Sequence, residues 1–240
     1  MNIKVIGCST SWTDRPTSSY CINNSILVDC GEGTLKHYKS SNVNFYDIKH
    51  IFITHLHSDH SFTLANYAYN YLKSKNDLKE NPFTIYGPVG IKKHICQIID
   101  TFMCGLDSSL VENHVNIIEI SDFNKPIIID NLVISVFKLQ HGVMTDIAYI
   151  FDDGKIKVGF SGDCTFTANL ENFIKDSNVV FLECCSTTTT NDHLGYDIYY
   201  SLVQKYPSIK FYAIHCNNKI YDNYEELKIN IAMNGKEYIF

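Results

Sequence analysis

Short apolar runs alternate with helix-like patterns along the whole chain. Apolar runs of strand length, bounded by turn residues, predict strands at 2–7, 20–23, 26–29, just before Thr54, 82–86, 178–183 and 209–214, with a mostly β stretch over 114–161. Apolar positions at helical spacing predict helices at 33–40, 61–75, 88–104, 166–175, 195–205 and 222–230. Asn23-Asn24 lies between two of the strands and is typical of a two-residue hairpin turn.

This order of elements predicts the layers of the fold. Two mostly β blocks are flanked by helices at both edges, with no linker and no internal repeat between them. Sheets bury one face against each other and the other face against helices. The pattern therefore predicts an α/β protein, a four-layer αββα sandwich in one domain over residues 1–240.

Composition narrows the class of protein. The 240 residues are 45% hydrophobic and 19% charged, which excludes intrinsic disorder, collagen-like repeats and a pure coiled coil. The apolar runs are too short to span a bilayer, and the first seven residues read as a strand rather than as a secretion signal. We therefore expect a cytoplasmic globular protein with no membrane partner.

The charge balance disfavours long nucleic acids as partners without excluding them. Lys plus Arg number 20 against 26 Asp plus Glu, which gives a net charge of −6, and Arg15 is the one arginine. Nucleic-acid-binding proteins usually carry a basic stripe with several arginines for phosphate contacts. The nine cysteines include no C-x-x-C pair, which fits a reducing compartment. Cys164, Cys184 and Cys216 neighbour candidate ligands, but packing at strand ends is the simpler interpretation.

The segment Thr54-His55-Leu56-His57-Ser58-Asp59-His60 carries the strongest chemical signal. It follows the apolar run 51–53 directly. In an extended stretch His55 and His57 point to the same side and can hold one ion. Asp59 and His60 follow at the turn into the next helix and can face a second ion. Imidazole and carboxylate ligands suit Zn²⁺ best, with Mn²⁺ or Fe²⁺ as alternatives.

A two-ion hydrolytic site needs further ligands from later strand ends. His141, Asp163 and His215 each follow an apolar run. Each alone could equally be an ordinary turn residue. Their recurrence after the 54–60 segment makes them joint candidates.

On these motifs the chain resembles the metallo-β-lactamase fold superfamily, and within it the ribonuclease Z-like branch. The matching segments follow one another along nearly the whole chain: 6–19, the Asp-Cys-Gly-Glu segment at 29–32, the Thr-His-x-His-x-Asp-His signature at 54–60, the Ser-Gly-Asp turn at 161–163 and the strand ending at Glu183.

The resemblance implies a role for each matching residue. It assigns the first ion to His55, His57 and His141, the second to Asp59, His60 and His215, and the bridge between the ions to Asp163. Asp59 would also orient or deprotonate the attacking water. His193 resembles the branch's catalytic histidine, which stabilises the transition state or protonates the leaving oxygen; alternatively it is a structural residue at a helix start. Asp29 and Glu183 would support the ligands through hydrogen bonds, or serve only as structural acceptors.

These roles predict a dinuclear metal-dependent hydrolase. His57 stands where the oxygen-reducing diiron relatives carry Glu, which disfavours redox chemistry. A carboxylic ester, thioester or lactone hydrolase would share the ligand set, and a non-catalytic metal-binding module would be expected to lose ligands. The Asp-Cys-Gly-Glu segment and His193 favour phosphodiesters.

One departure from the branch bears on the substrate. Ribonuclease Z carries a tRNA-gripping arm between the equivalents of His141 and Asp163, whereas here only 142–162 separate them and read as a hairpin. We therefore expect a ribonuclease Z-like phosphodiesterase acting on small or single-stranded substrates such as cyclic nucleotides or short oligonucleotides, with tRNA 3′ processing as the alternative. The Tyr-rich helix around Tyr67, Tyr69 and Tyr71 could belong to the core, cover a substrate pocket or form a homodimer face.

Overall fold

The chain folds around two mixed β-sheets. The computed structural model describes residues 1–74, 83–103 and 105–240. In these residues the strands are β1 (Asn2–Gly7), β2 (Ser19–Ile22), β3 (Ile26–Val28), β4 (His50–Phe52), β5 (Thr84–Pro88), β6 (Asn116–Ile120), β7 (Ile127–Ile129), β8 (Leu132–His141), β9 (Met144–Asp152), β10 (Lys157–Phe160), β11 (Val179–Glu183), β12 (Lys210–Ile214) and β13 (Glu237–Ile239).

The described helices are mostly short. They are α1 (Thr34–His37), α2 (Ser58–Lys73), α3 (Ile91–Phe102), α4 (Ser109–His114), α5 (Ala168–Lys175), α6 (Tyr196–Lys205) and α7 (Asn218–Asp222), with a 3-10 turn at Phe45–Asp47. Among them none is long and apolar enough to cross a bilayer.

Strand pairing separates the chain into two halves. The first sheet has the order β13-β1-β2-β3-β4-β5-β6, and the second has the order β12-β11-β10-β9-β8-β7. Within the first sheet β3 to β6 run parallel, and within the second β10 to β12 run parallel. Because these strands are parallel, the ends of several of them meet at one edge of each sheet.

Three apolar clusters define the layers. One cluster lies between the sheets and includes stacked Phe160, Phe181 and Tyr212. A second packs α2 and α3 on the outer face of the first sheet, and a third packs α5 and α6 on the outer face of the second. Each sheet is thus covered on both faces, and the predicted four-layer αββα sandwich is confirmed.

The hairpin prediction at Asn23-Asn24 is confirmed. Both residues have positive φ, 48° and 60°, and the Ser25 amide donates to Ile22 O at 3.1 Å. Two consecutive left-handed residues form the mirror-image turn whose twist matches that of the flanking strands.

Other predicted boundaries were wrong. The last helix is Asn218–Asp222 instead of 222–230, because the Asn217 side chain caps it by accepting from the Ile220 amide. Strand β13 and helix α4 were not predicted. The predicted ends at 75, Pro82 and 104 lie outside the described residues.

Candidate metal centre

The seven predicted ligands lie together at one edge of the sandwich. Each lies at the end of a strand or just beyond it. His55 and His57 follow β4, and Asp59 and His60 lie in the first turn of α2. The others come from the second sheet, where His141 ends β8, Asp163 follows β10 and His215 follows β12. Residues separated by up to 160 positions therefore meet because their strands end at the same edge.

The ligand-capable atoms form two groups, and within each group all lie within 4.8 Å of one another. One group is His55, His57, His141 and Asp163, and the other is Asp59, His60 and His215. Asp163 lies between them, with Oδ1 3.2 Å from His60 Nε2 and Oδ2 3.9 Å from His55 Nε2. The carboxylate can therefore reach both groups.

Three of the histidines are oriented by contacts of their Nδ1 atoms. His60 Nδ1 lies 2.8 Å from Asp29 Oδ2, His55 Nδ1 lies 3.0 Å from Asp146 Oδ1, and His141 Nδ1 lies 2.6 Å from the Asp192 carbonyl. Metal-binding histidines characteristically use one ring nitrogen in this way and offer the other to the ion.

Two ring nitrogens and one carboxylate oxygen at the centre lack the hydrogen-bond partners that buried polar atoms normally have. His55 Nε2, His60 Nε2 and Asp163 Oδ1 are all buried without a hydrogen bond, whereas most buried polar atoms make at least one. Burial, together with the neighbouring imidazoles of His60 and His141, lowers the pKa of His55 well below its usual value. A neutral imidazole has the free lone pair that a cation needs, so the residues fit divalent metal ions.

His193 and Glu183 lie beside the second group. His193 Nδ1 is 2.6 Å from Glu183 Oε1 and 3.7 Å from Asp163 Oδ2, and its ring stacks on that of His215 at 5.5 Å. Burial opposes the charged form, but the hydrogen bond and the charge of Glu183 outweigh it and raise the pKa of His193. Its side chain is 31% exposed, so the imidazole can be reached from the cleft.

Asp59 is held in its ionised form. Its Oδ2 atom lies 3.2 Å from His215 Nε2. Burial alone would raise the pKa of Asp59, but the hydrogen bond from His215 and the charge of His60 hold it well below its usual value. Asp59 is therefore a carboxylate that can bind a cation or accept a proton.

The loops that carry these residues are constrained at the backbone. His215 and Asp29 have φ of 52° and 58°, in the left-handed region that residues other than glycine adopt uncommonly. A Cβ on Gly31 would lie 1.7 Å from the Asp59 carbonyl oxygen. Glycine at 31 is thus what allows the Asp-Cys-Gly-Glu segment to lie against the start of α2.

Two neighbours of the centre were not predicted from the sequence. Asp146 is fully buried in β9 and contacts His55, which is 91 positions earlier. Cys185 lies beside His193 and His215. No local pattern marks either residue, because only the pairing of the strands brings them to the ligands.

The three cysteines and three tyrosines that the sequence analysis singled out belong to the core. Cys164, Cys184 and Cys216 are buried in the cluster under α5 and α6. Tyr67, Tyr69 and Tyr71 are at most 7% exposed and pack with α2 on the first sheet. Of the three interpretations of the tyrosines, the structure supports the core.

A mainly apolar cavity is lined in part by the loop that follows β4. Its volume is about 430 Å³. Its lining includes Leu56, which lies between His55 and His57 in the sequence, and Met144, the first residue of β9. Val89, Phe123 and Ile147 complete its apolar wall. Ligand pockets commonly have volumes of roughly 300–1,000 Å³, so the cavity has room for a small organic group.

Comparison with solved structures confirms the fold. The structure is similar to the metallo-β-lactamase fold protein YhfI from Bacillus subtilis, with a TM-score of 0.79 and 20% identity over 99% of this chain and 98% of that one. Human tRNase Z, short form, has a TM-score of 0.77 and 17% identity over 100% and 99% of the two chains. Zinc-bound PqqB from Methylobacterium extorquens has a TM-score of 0.70 and 12% identity over the whole of both chains.

Curated sequence relatives are ribonucleases Z. That of Streptococcus thermophilus is 30% identical over 128 residues, which are 51% of this chain but only 38% of the relative. That of Prochlorococcus marinus is 35% identical over 117 residues, or 46% of this chain and 36% of the relative. The predicted resemblance to the metallo-β-lactamase fold and its ribonuclease Z-like branch is thereby confirmed.

A family model covers almost the whole chain. The model described as "Anti-Pycsar protein Apyc1" matches residues 1–238. The match takes in every predicted ligand, His193 and Glu183. This chain with the metallo-β-lactamase fold therefore belongs to the Apyc1 family of anti-Pycsar proteins.

Proposed function

We propose that this chain is a metal-dependent phosphodiesterase that hydrolyses small phosphodiesters, such as cyclic nucleotides or short oligonucleotides. The observation that carries the proposal is the pairing of two cation-competent groups with an acid–base pair. Asp163 lies between the two groups, Asp59 belongs to the second group, and His193 lies beside that group. Relatives of the same fold that are ribonucleases Z support this reading.

Two divalent ions would be held by the two groups. The ligands are His55, His57 and His141 on one side and Asp59, His60 and His215 on the other, with Asp163 shared. When bound, such a pair lowers the pKa of a water molecule and polarises a phosphoryl oxygen. The donor set favours Zn²⁺ over Mn²⁺ or Fe²⁺, and the zinc in the PqqB structure supports the same choice.

The chain's own residues position the reactants and move the protons. The Asp59 carboxylate orients the attacking water and accepts its proton. His193 donates a proton to the leaving oxygen, because Glu183 holds Nδ1 at 2.6 Å and so fixes the ring. Positioned proton transfer of this kind contributes about 10²–10⁴-fold to rate.

Three features favour a small substrate. Residues 142–162 form β9, a turn and β10, with no projecting arm. The net charge is −6 and Arg15 is the one arginine, although phosphate contacts dominate the binding of long nucleic acids. The apolar cavity beside Leu56 offers space for a base.

A substrate panel tests the proposal. Purified zinc-loaded protein would be assayed with bis-p-nitrophenyl phosphate, cyclic nucleotides, short oligonucleotides, a thioester, a lactone and precursor tRNA. We expect hydrolysis of the small phosphodiesters, loss of activity in Asp59→Asn, and near-normal activity in His114→Ala, whose imidazole lies on α4 away from the centre.

Three other outcomes would replace the proposal. Rapid opening of the thioester or lactone without phosphodiester cleavage would make the chain a carboxylic ester-type hydrolase. Cleavage of precursor tRNA at catalytic rates would establish the tRNA 3′-processing endoribonuclease, the candidate that the curated relatives favour. Binding of metal with no turnover of any substrate would leave a metal-binding module.

Assembly and location stay predictions. A homodimer would be seen as a doubled mass by light scattering coupled to size-exclusion chromatography. The expected cytoplasmic location would be checked by fractionation of cells that express the chain.

A further inference from the structure

A third group of metal-competent side chains adjoins the centre. Glu183, Cys185 and His193, together with His215, have ligand-capable atoms that all lie within 4.8 Å of one another. Of these four, only His215 belongs to the two groups already described. Glu183 ends β11, Cys185 lies just past it, and His193 lies in the loop before α6.

Backbone hydrogen bonds fix the position of Cys185 in this group. Its amide donates to the Leu194 carbonyl at 2.9 Å, and its carbonyl accepts from the Asn217 amide at 3.0 Å. The Cys185 sulfur also lies within 4.8 Å of a ring nitrogen of His215. Cys185 is therefore joined at once to the loop that carries His193 and to the segment that carries His215.

The thiol is also accessible. Of the described cysteines only Cys185 and Cys96 are partly exposed, and the other six are buried. His193 is itself 31% exposed. An ion can thus reach this group from the cleft.

The donor set differs in kind from that of the two ion groups. Sulfur, imidazole nitrogen and carboxylate oxygen form a typical zinc-binding set, and thiolate favours soft ions such as Cd²⁺ even more. The two groups described above contain no sulfur. A thiolate-bound ion would therefore have a spectroscopic signature that the dinuclear centre lacks.

Binding of an ion at this group would break the hydrogen bond between His193 and Glu183. Ligands about 2.0 Å from a tetrahedral ion lie about 3.3 Å apart, whereas Glu183 Oε1 and His193 Nδ1 are 2.6 Å apart. The ion would have to replace this hydrogen bond. A histidine that binds a cation through Nδ1 no longer has Glu183 as its hydrogen-bond partner, so its ring loses the orientation that the proposed proton transfer requires.

We propose that Glu183, Cys185 and His193 form a third cation site, which takes Zn²⁺ or Cd²⁺ in excess and thereby inhibits the enzyme. When the ion binds, the thiol and His193 Nδ1 each give up a proton to solvent. Binding at this site does not depend on the proposed function, whereas inhibition rests on the proposed role of His193.

Absorption spectroscopy tests the binding without any substrate. Cd²⁺ would be titrated into protein already loaded with zinc. We expect a thiolate-to-cadmium charge-transfer band in the wild type and in the matched control Cys96→Ser, and no band in Cys185→Ser. Absence of the band in the wild type, or an equal band in Cys185→Ser, would overturn the site.

Thiol labelling gives a second measurement that does not depend on a variant folding. Alkylation of native wild-type protein, followed by peptide mapping, should be slowed by Cd²⁺ at Cys185 and unaffected at Cys96. Equal rates at Cys185 with and without Cd²⁺ would contradict the proposal.

Kinetics test the inhibition. Activity should rise as zinc fills the dinuclear centre and then fall in excess zinc, and Cys185→Ser should need at least about tenfold more zinc for the same inhibition, equivalent to about 1.4 kcal/mol. A charge-transfer band that depends on Cys185 but is accompanied by no inhibition would retain the site and refute its effect on His193. Inhibition unchanged in Cys185→Ser would assign it to another site.

Discussion

Glu183 and His193 show how a single contact prepares a side chain for proton transfer. The 2.6 Å contact orients the imidazole, and the carboxylate raises the pKa of His193 although partial burial opposes the charged form. His193 also stacks on His215 and lies near His141. Its placement depends on a residue ten positions away whose strand ends at the same edge.

Replacing His193 should affect turnover more than ion binding. His193→Ala removes the proposed proton donor but none of the seven candidate ligands of the dinuclear centre. We expect kcat for a small phosphodiester to fall by about 10²–10⁴-fold, with the zinc content measured by elemental analysis unchanged. His114→Ala is the matched control, and an equal loss of activity there would refute a specific role for His193.

The pH dependence should follow the same pair. The proposed mechanism needs a protonated His193, so activity should be present below the raised pKa of His193 and should be lost as pH rises through it. Glu183→Gln removes the charge that raises this pKa and should move the alkaline limb of the kcat profile to lower pH. Asp176→Asn, which removes a partner of Lys157 far from His193, should leave the limb in place. An unmoved limb in Glu183→Gln would mean that another group titrates.

At the scale of elements, the start of α2 and the Asp-Cys-Gly-Glu segment behave as one unit. The Cys30 amide donates to the His60 carbonyl at 2.8 Å, and the Thr63 amide donates to the Cys30 carbonyl at 3.1 Å. Gly31 lies under Asp59 with no room for a Cβ. The glycine therefore determines where the ligands of the second group lie.

Gly31→Ala should weaken both the fold and ion binding. Relief of the clash with the Asp59 carbonyl should cost about 1–3 kcal/mol of unfolding free energy and displace Asp59. Gly154→Ala is the control: it lies in an open turn at φ 80°, so it should lose about 1–2 kcal/mol and keep its zinc affinity. Denaturant unfolding and zinc titration separate the two effects, and normal zinc affinity in Gly31→Ala would contradict the argument.

For the whole molecule, the centre lies where the two sheets meet. The Ile147 amide of β9 donates to the Thr54 carbonyl beside β4 at 2.9 Å, and ligands from both sheets converge there. Divalent ions would therefore join two halves of the sandwich that otherwise contact mainly through apolar side chains.

Removing the ions should destabilise the fold. Ions that bind only the folded chain add about 2.7 kcal/mol when present at 100 times their Kd. We expect a chelator to lower the thermal unfolding midpoint and zinc to restore it. Asp163→Asn weakens the proposed bridge, so its unfolding midpoint should shift less on chelation. The midpoint of Asp176→Asn should shift as much as that of the wild type. A midpoint that a chelator leaves unchanged would argue against ions at the interface of the sheets.

Sequence alone determined the features that depend on neighbours along the chain. The hairpin at Asn23-Asn24, the strand before Thr54 and the ligand-rich segment that follows it are local, because alternation and turn chemistry act over a few residues. The apolar runs before His141, Asp163 and His215 also marked these residues as strand-end candidates. The order of strands and helices predicted the layered architecture.

Only the tertiary structure decided which distant residues meet. Strand β13 exists because it pairs with β1 at the other end of the chain, and α7 begins where Asn217 caps it. Asp146 and Cys185 reach the centre through strand pairing across tens of residues. Such contacts form when sheets close around a shared core, and no periodicity in the chain encodes them.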